Sequence, residues 1–495
     1  MIKAAKDILS KIPSSVSYAD VRIVEQESKD IATKDGVVEA LESGSSTGYN
    51  VRVLQSGVWG FAASHDMSET GVDATIKKAM TIALASAKYK MEDVQLDDQK
   101  PIKDSYKTPI AEDPFTVPME EKMKLLLAAD KAQRVSSKIA VSQASYQANK
   151  EHKYFVSTLG SEIDQEIIWT GAGIETTAVD GQDLQNRSYP NSFRGQNQTR
   201  GYELVRGLDL VGHAPEIAEQ AVELLSADTC PTGEFDIILD GNQLALQIHE
   251  SCGHAVELDR VLGYEASYAG TSFLTPEKLY DFQYGSDIVN LTADATIPGG
   301  LGTFGYDDEG TPAQRTYLVK KGMFQDYITS RDTVRELKKA NPNYKNSRSN
   351  GTVRASSWSR LPMIRMTNIN LEPGGEEGTG KAWSLKELIG DTKYGIFMST
   401  NRSWSIDDKR YNFQFGTEIA WEIKDGKLGR MLKNPTYQGI TPAFWNSCDA
   451  ICGRDEWIVW GTPNCGKGQP SQVMYTGHGA SPTRFKKVKV GVVKW

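Results

Sequence analysis

One short segment constrains this chain more than any other: the six residues from His249 to His254, which spell His-Glu-Ser-Cys-Gly-His. The surrounding pattern predicts a buried helix directly after a strand. Neutral histidine is a preferred zinc ligand, and a glutamate beside it can take a proton from a water that the metal activates. The chain has only 6 His in 495 residues. This arrangement arises by chance in roughly one of a few hundred chains of such composition, so it predicts a hydrolytic metal site.

The spacing of the two histidines is unusual for a metal site on a helix. Residues four apart share one face of a regular α-helix, whereas His249 and His254 are five apart and would lie about 140° from each other. A local widening, as in a single-turn π-bulge, would bring both rings to one side. Gly253 can give the backbone the freedom for such a turn. We therefore expect a distorted helix here.

A catalytic zinc usually has three protein ligands, and the two histidines supply only two of them. Two cysteines are candidates for the third ligand. Cys252 lies three residues after His249 on nearly the same helical face, so spacing alone favours it. Cys465 lies in the glycine-rich stretch from Gly461 to Gln469, which can approach an ion closely. The remaining histidines have no ligand-spaced neighbour, and we interpret them as surface or hydrogen-bonded core residues. They are His65, His152, His213 and His478.

Length and composition are those of an ordinary globular protein. Hydrophobic residues make up 39% and charged residues 24%, which argues against long disorder. The net charge is -8 with no basic stripe suited to phosphates, so direct nucleic-acid binding is not expected. No apolar run is long enough to cross a bilayer, and the N-terminus lacks the apolar core of a secretory signal. Five cysteines do not form a disulfide framework, so we expect a cytoplasmic protein that does not bind membranes.

The predicted elements divide the chain into two domains. Residues 1–228 mix helices, strands and hairpins and are expected to form an α/β domain, with a boundary in the turn-rich stretch that follows. Residues 229–495 open with a strand and the motif helix, which Asp240 or Asn242 could cap, and then become strand-rich. We predict an α+β fold: an N-terminal α/β domain, then a β-rich C-terminal domain, an antiparallel sheet or barrel, that carries the metal-site helix.

Stretches spread in order along nearly the whole chain resemble the TldD/PmbA family of zinc metallopeptidases. His-Glu-Ser-Cys-Gly-His at 249–254 is similar to the family motif His-Glu-x-x-Gly-His. The motif also separates the chain from the partner branch of the family, which lacks it. The other stretches that carry the resemblance are Tyr18–Arg22, Val51–Gly60, Tyr306–Pro312, Met366–Gly374 and Asn464–Gln469.

The resemblance implies a set of site residues and an assembly. In TldD-type members two motif histidines and a distant C-terminal cysteine hold the zinc, and the motif glutamate is the catalytic base. Carried over, the ligands of one zinc per chain are His249, His254 and Cys465, and the base is Glu250. Cys252 occupies a position where the family accepts various small residues. The family also forms dimers that enclose the active site, so we expect a homodimer or a heterodimer with a related non-catalytic subunit.

These expectations describe a zinc-dependent peptidase that hydrolyses peptides or unfolded protein segments, in processing or degradation. The alternative is a zinc-containing regulatory protein that modulates a partner and whose metal is structural. A structural zinc is closed by four protein ligands, and Cys252 could supply the fourth. A metal-dependent amidase acting on small molecules is a third, weaker interpretation.

Four acidic residues have roles that the sequence leaves open. Glu257, three residues after His254, can either orient an imidazole or form a surface salt bridge. Asp307, Asp308 and Glu309 can either contact substrate or cap a turn. Neither choice can be made from spacing alone.

Two further patterns are interpreted as structural. Gly300–Gly305 matches Gly-x-Gly-x-x-Gly literally, but it lacks the preceding strand and following helix of a dinucleotide site. Cys448 and Cys452 are four apart, which is the wrong spacing for Cys-x-x-Cys chemistry. We therefore expect a loop and two half-buried thiols.

Overall fold

Two large β-sheets organise the chain in the computed structural model, which describes residues 1–376, 378–468 and 471–491. Gln469, the last residue of one stretch named above, and the final residues of the predicted C-terminal domain lie outside the described residues. The strands are β1 Tyr18–Lys34, β2 Val37–Gln55, β3 Val58–Ser64, β4 Lys103–Lys107, β5 Ile139–Ser157, β6 Glu162–Asp180, β7 Asp183–Tyr189, β8 Gln196–Gln198, β9 Asp228–Thr229, β10 Gly233–Leu239, β11 Leu291–Asp294, β12 Arg315–Lys320, β13 Met323–Phe324, β14 Val353–Arg354, β15 Met363–Ile364, β16 Ile369–Leu371, β17 Tyr394–Ile406, β18 Asn412–Lys424, β19 Lys427–Lys433, β20 Thr436–Ile440, β21 Cys448–Ile451, β22 Ile458–Gly468, β23 Ser471–Ala480 and β24 Thr483–Val490.

The helices are short in the second half of the chain, where strands dominate. No helix in the described part of the chain is both long and apolar enough to cross a membrane. The α-helices are α1 Ile2–Ser10, α2 Glu69–Ser86, α3 Met119–Ala132, α4 Glu203–Gly207, α5 Leu210–Ser226, α6 Gly241–Ile248, α7 Leu258–Val261, α8 Thr333–Ala340, α9 Leu385–Asp391 and α10 Thr441–Asn446.

The N-terminal sheet has the order β3-β2-β1-β5-β6-β4, and β7 and β8 also pair with β6. The pairs are antiparallel except β4 with β6. Helix α2 packs on β2 and β3. Its N-cap is Ser68, whose side chain accepts a hydrogen bond from the Gly71 N–H. Gly60 of β3 permits this packing, because a Cβ there would lie 2.1 Å from the Ala79 carbonyl oxygen.

The long strands β5 and β6 were not predicted from the sequence. Residues 167–174 of β6 are buried without interruption, so both of its faces are covered there. Strands buried on both faces lose the polar and apolar alternation by which a strand is normally predicted.

The C-terminal half contains a five-stranded barrel. Strands β17, β10, β24, β20 and β18 pair in that order, and pairing of β17 with β18 closes the circle. The predicted α+β fold with a β-rich C-terminal part is thereby confirmed. Helix α6 follows directly after β10, is buried along its whole length, and packs against β17 and against β16, β22 and β23.

The start of α6 is determined by one side chain. Asp240 Oδ1 accepts the Gly241 N–H at 2.7 Å, so of the two predicted caps Asp240 is the one used. Asn242 instead accepts the Thr400 N–H at 3.0 Å and thereby ties the helix to β17. Both contacts fix the direction in which the motif leaves the barrel.

Candidate metal centre

The helix changes its geometry at the motif. Residues His249–Gly253 form one π turn, closed by a hydrogen bond from the His254 N–H to the His249 carbonyl, and a 3₁₀ turn follows. A bond between residues five apart widens the turn by one residue. The two imidazole rings consequently lie on one side, with centroids 4.8 Å apart and planes 89° apart. The expected helix distortion is confirmed.

The reason for a glycine before His254 differs from the expected one. Gly253 has an ordinary helical φ of -53°, so no special backbone freedom is used. A Cβ at this position would lie 2.2 Å from the sulfur of Met366. Gly253 is therefore required by the close packing of Met366 against the π turn.

The structure brings Cys465 to the two histidines from β22. The Cys465 Sγ lies 3.7 Å from His254 Nε2, and the ligand atoms of His249, His254 and Cys465 all lie within 4.8 Å of one another. We call these three residues the metal cluster. Cys252 does not join it: its thiol interacts with Tyr284, and burial raises its pKa to about 12. The cluster could bind a metal ion.

Burial and charge shift the pKa values of the cluster towards the protonation states that metals bind. Burial lowers the pKa of His249 and of His254, which favours the neutral imidazoles. Burial alone would raise the pKa of the Cys465 thiol, but the Arg365 guanidinium and His254 outweigh it and the pKa lies below its ordinary value. Neutral imidazole and thiolate are the forms that coordinate a metal.

Glu257 orients one of the histidines. Its Oε2 lies 2.8 Å from His254 Nδ1, so Nε2 is left to face the cluster. Glu257 is fully buried and is also paired with Lys467 Nζ at 3.3 Å and Arg260 Nε at 3.4 Å. The surface salt-bridge interpretation of Glu257 is therefore wrong, and the orienting role is the one that the geometry supports.

His478, which no sequence pattern selected, contacts the other histidine. Its Nε2 lies 2.7 Å from His249 Nδ1, and its Nδ1 lies 3.2 Å from the Ile369 carbonyl oxygen. His478 is fully buried in β23, 229 residues from His249 in the chain. Because no spacing rule links residues so far apart, only the folded structure identifies this contact.

Glu250 is paired with a second residue that sequence reasoning missed. Arg410 Nη1 lies 2.6 Å from Glu250 Oε2. Arg410 lies in the turn between β17 and β18 with φ of 65°, a strained conformation for a residue with a side chain. Asp407 accepts the Tyr411 N–H at 2.7 Å, and Thr441 Oγ1 donates to the Arg410 carbonyl at 2.8 Å. These contacts hold Arg410 against the glutamate.

The acidic triplet at 307–309 lies at the contact between the two halves of the chain. Asp307 caps a turn by accepting the N–H groups of Glu309 and Thr311 at 2.9 Å each. Its neighbours instead form buried ion pairs with strands of the N-terminal sheet. We call this set the interface cluster. It consists of Asp307, Asp308 and Glu309 with Arg22 of β1, Arg52 of β2 and Lys153 of β5.

The remaining patterns have the structural roles expected of them. Gly300–Gly305 is a turn segment, followed by neither strand nor helix in the described structure. Cys448 and Cys452 are free thiols, buried rather than half-buried. Burial raises the pKa of Cys452 to about 12 and that of Cys448 further, so both are poor nucleophiles.

The site is of the kind found in metalloproteins: three buried residues that could bind a metal ion, with a glutamate beside them. Family models match most of the chain: PmbA/TldA metallopeptidase domain 1 over residues 19–83, the central domain over 112–227, and the C-terminal domain over 232–492. The chain therefore belongs to the PmbA/TldA family of metallopeptidases, as its motifs indicated.

Relatives and solved structures agree with this family. A metalloprotease of Methanocaldococcus jannaschii is 31% identical over 90% of this chain and 94% of its own length. A metalloprotease TldD homolog of Buchnera aphidicola is 24% identical over 96% and 93%.

Two crystal structures share the fold. TldE of Thermococcus kodakarensis matches with a TM-score of 0.67 at 16% identity, covering 99% of this chain and 100% of its own. A Thermotoga maritima protein described as a candidate modulator of a DNA gyrase matches with a TM-score of 0.74 at 15% identity, covering 96% of each chain. At such low sequence identities, the two structures show only that the fold is shared.

Proposed function

We propose that this protein is a zinc-dependent peptidase that hydrolyses peptides or unfolded protein segments. The observation that carries the proposal is the convergence of His249, His254 and Cys465 directly beside Glu250. The family and the metalloprotease names of the relatives support a metallopeptidase. The choice of zinc, the peptide substrate and the roles of the residues are our inference from the site.

The donor atoms fit zinc in kind, and the separation of Cys465 Sγ from His254 Nε2 also fits zinc in distance. Two imidazoles and a thiolate suit zinc, whereas magnesium and calcium take oxygen ligands. With Zn–S near 2.3 Å and Zn–N near 2.0–2.1 Å, sulfur and nitrogen of a tetrahedral site lie about 3.6 Å apart. The distance between Cys465 Sγ and His254 Nε2 is 3.7 Å. Three protein ligands leave the fourth place for water, as catalytic zinc sites do.

The catalytic step assigned to this chain is proton transfer by Glu250. When bound, zinc supplies the Lewis acidity that polarises a carbonyl and makes water a nucleophile near neutral pH. Glu250 accepts a proton from the attacking water and delivers it to the leaving amine. Arg410 Nη1 donates to Glu250 Oε2 at 2.6 Å, so Oε1 of Glu250 is the oxygen that accepts the proton of the water. The guanidinium thereby keeps the carboxylate oriented through both transfers.

The enclosure of the site supports peptides or unfolded segments as substrates. His249 is 3% exposed, His254 5%, Cys465 4% and Glu250 6%. A folded protein surface cannot reach groups so enclosed, whereas a single extended chain needs only a narrow passage. Extended chains are commonly bound through main-chain hydrogen bonds, which gives weak side-chain specificity.

A comparison of wild type with Glu250→Gln tests the proposal. We expect about one zinc per chain in both proteins by elemental mass spectrometry, because glutamine leaves the three ligands in place. Turnover of an unstructured peptide should fall roughly 10²–10⁴-fold, the usual contribution of a general base. Glu39→Gln, at an exposed glutamate of β2, is the matched control and should keep full activity. Undiminished turnover in Glu250→Gln would refute the assignment of Glu250.

A further inference from the structure

We propose that His478 is a positioning residue that fixes the tautomer and the ring orientation of His249, so that His249 presents Nε2 to the metal. The inference deepens the proposed function and rests on its assignment of His249 as a zinc ligand. It concerns binding of the metal rather than cleavage of a peptide.

The direction of the two hydrogen bonds made by His478 follows from its contact with the Ile369 carbonyl oxygen. The Ile369 carbonyl can only accept, so the proton between it and His478 belongs to Nδ1 of His478, at 3.2 Å. In a neutral imidazole the other nitrogen is then an acceptor. His478 Nε2 therefore accepts from His249 Nδ1 at 2.7 Å. His249 is left with its lone pair on Nε2, the nitrogen that remains for the cluster.

The surroundings hold both rings in this arrangement. The centroids of the His249 and His478 rings lie 4.8 Å apart with planes at 80°, so the lone pair of one nitrogen faces the N–H of the other. Thr476 Oγ1 lies 3.2 Å from the same Nε2 of His478 and limits rotation of the ring. His478 is fully buried, and full burial disfavours the charged form of an imidazole. A neutral partner is thus maintained.

The two zinc-facing histidines are supported by partners of different charge. His254 donates to the Glu257 carboxylate at 2.8 Å, whereas His249 donates to an uncharged imidazole. Carboxylates and carbonyls are common partners of metal-bound histidines, and both fix the ring. The neutral partner orients His249 without adding a further negative charge beside the Cys465 thiolate and Glu257. His478 thus completes the set of contacts that orient the ligands.

The test is the zinc dissociation constant of the full chain, measured by competition with a chelating dye. We compare wild type, His478→Leu and His478→Gln, with His213→Gln at a histidine outside the site as the control. Leucine fills space but accepts no hydrogen bond, so zinc should bind roughly 10–100-fold more weakly. Glutamine places an amide oxygen near the position of Nε2 and should recover most of that loss. Recovery by glutamine is the readout that a purely structural role would not produce.

The inference is overturned if His478→Leu binds zinc as tightly as wild type, or if the leucine and glutamine variants are equally weak. If the leucine variant does not fold, His478→Asn replaces it. Its shorter side chain reaches Ile369 but not His249, so weakened zinc binding is expected and unchanged binding overturns the inference. The measurement uses no peptide. Weakened zinc binding in His478→Leu, together with no turnover of an unstructured peptide by zinc-loaded wild type, would therefore refute the proposed function and leave this inference standing.

Discussion

The metal cluster and the interface cluster are both buried and polar, and they differ in what their polar atoms face. In the interface cluster Asp308 meets Arg22 and Lys153, and Glu309 meets Arg52 at 3.0 Å. In the metal cluster three ligand atoms point at one another. Opposite charges satisfy the first arrangement, whereas the ligand atoms of the second converge on a position that a cation could occupy.

What the polar atoms face thus distinguishes a cluster that stabilises the fold from a cluster that is suited to binding a metal. Glu257 and His478 support the metal cluster from outside, with their hydrogen bonds to the histidines. Removing a member of the interface cluster should therefore cost stability, whereas removing a member of the metal cluster should cost metal binding. The predictions below test that division.

The largest expected effect is loss of the metal on removal of the cysteine ligand. Cys465→Ala should lower the zinc content from about one per chain to near zero, because two imidazoles alone bind zinc weakly. Cys252→Ala is the matched control and should keep its zinc, since Cys252 does not belong to the cluster. Elemental mass spectrometry of the purified proteins measures both. Zinc lost only from Cys252→Ala would overturn the choice of Cys465 as the ligand, whereas zinc lost from both variants would favour the regulatory protein with a structural metal.

Asp308→Asn should destabilise the fold without affecting the metal. Asparagine leaves Arg22 and Lys153 buried beside a neutral side chain, and breaking such buried pairs costs about 3–5 kcal/mol. Asp98→Asn, at the exposed pair with Arg335, should cost under about 1 kcal/mol. Urea denaturation measures the free energy of unfolding. If Asp308→Asn lost zinc at unchanged stability, the division between the clusters would be wrong.

The loss of stability caused by Asp308→Asn should depend on pH. Burial would raise the pKa of Asp308, but Arg22 and Lys153 outweigh it and the pKa lies below its ordinary value. A carboxyl group whose pKa is lowered by folding stabilises the protein above about pH 4 and loses that contribution as the pH falls through its folded pKa. The stability difference between wild type and Asp308→Asn should therefore narrow in acid. A difference that grew in acid would contradict the assigned ion pairs.

Arg410→Ala should slow catalysis and leave zinc in place. Without the guanidinium the Glu250 carboxylate can rotate, and misplacement of a catalytic group can lower kcat by about 100-fold. Arg410→Lys retains a positive charge and should recover part of the rate. Steady-state kinetics with a peptide should show the change in kcat more than in KM. A change confined to KM would indicate that Arg410 binds substrate instead.

The smallest effect is expected for Glu257→Gln. The amide oxygen can still accept the hydrogen bond from His254 Nδ1, so the ring keeps its orientation and loses only the charge of its partner. Zinc affinity should fall about 10-fold, the lower end of the range for such partners. Competition with a chelating dye measures it. Unchanged zinc affinity would show that the charge of Glu257 stabilises Lys467 and Arg260 rather than the metal cluster.

Local patterns predicted much of the fold and part of the site. The strand before the motif, the Asp240 cap and the widened turn all depend on residues within a few positions of one another, and each is present. The centre of β6 was missed because residues 167–174 are buried on both faces, which removes the alternation of polar and apolar residues. Family resemblance, rather than spacing, selected Cys465 over Cys252.

The sequence by itself determined the motif, the class of fold and the chemistry that two histidines and a glutamate can perform. Apart from Cys465, which family resemblance selected, only the tertiary structure decided which distant groups complete the site. Cys465, Arg410 and His478 reach the motif from β22, from the turn between β17 and β18, and from β23. The physical reason is that side chains with specific contacts within a few ångströms can be hundreds of residues apart in the chain. Their positions follow from strand pairing and packing of the whole C-terminal half, which no local pattern encodes.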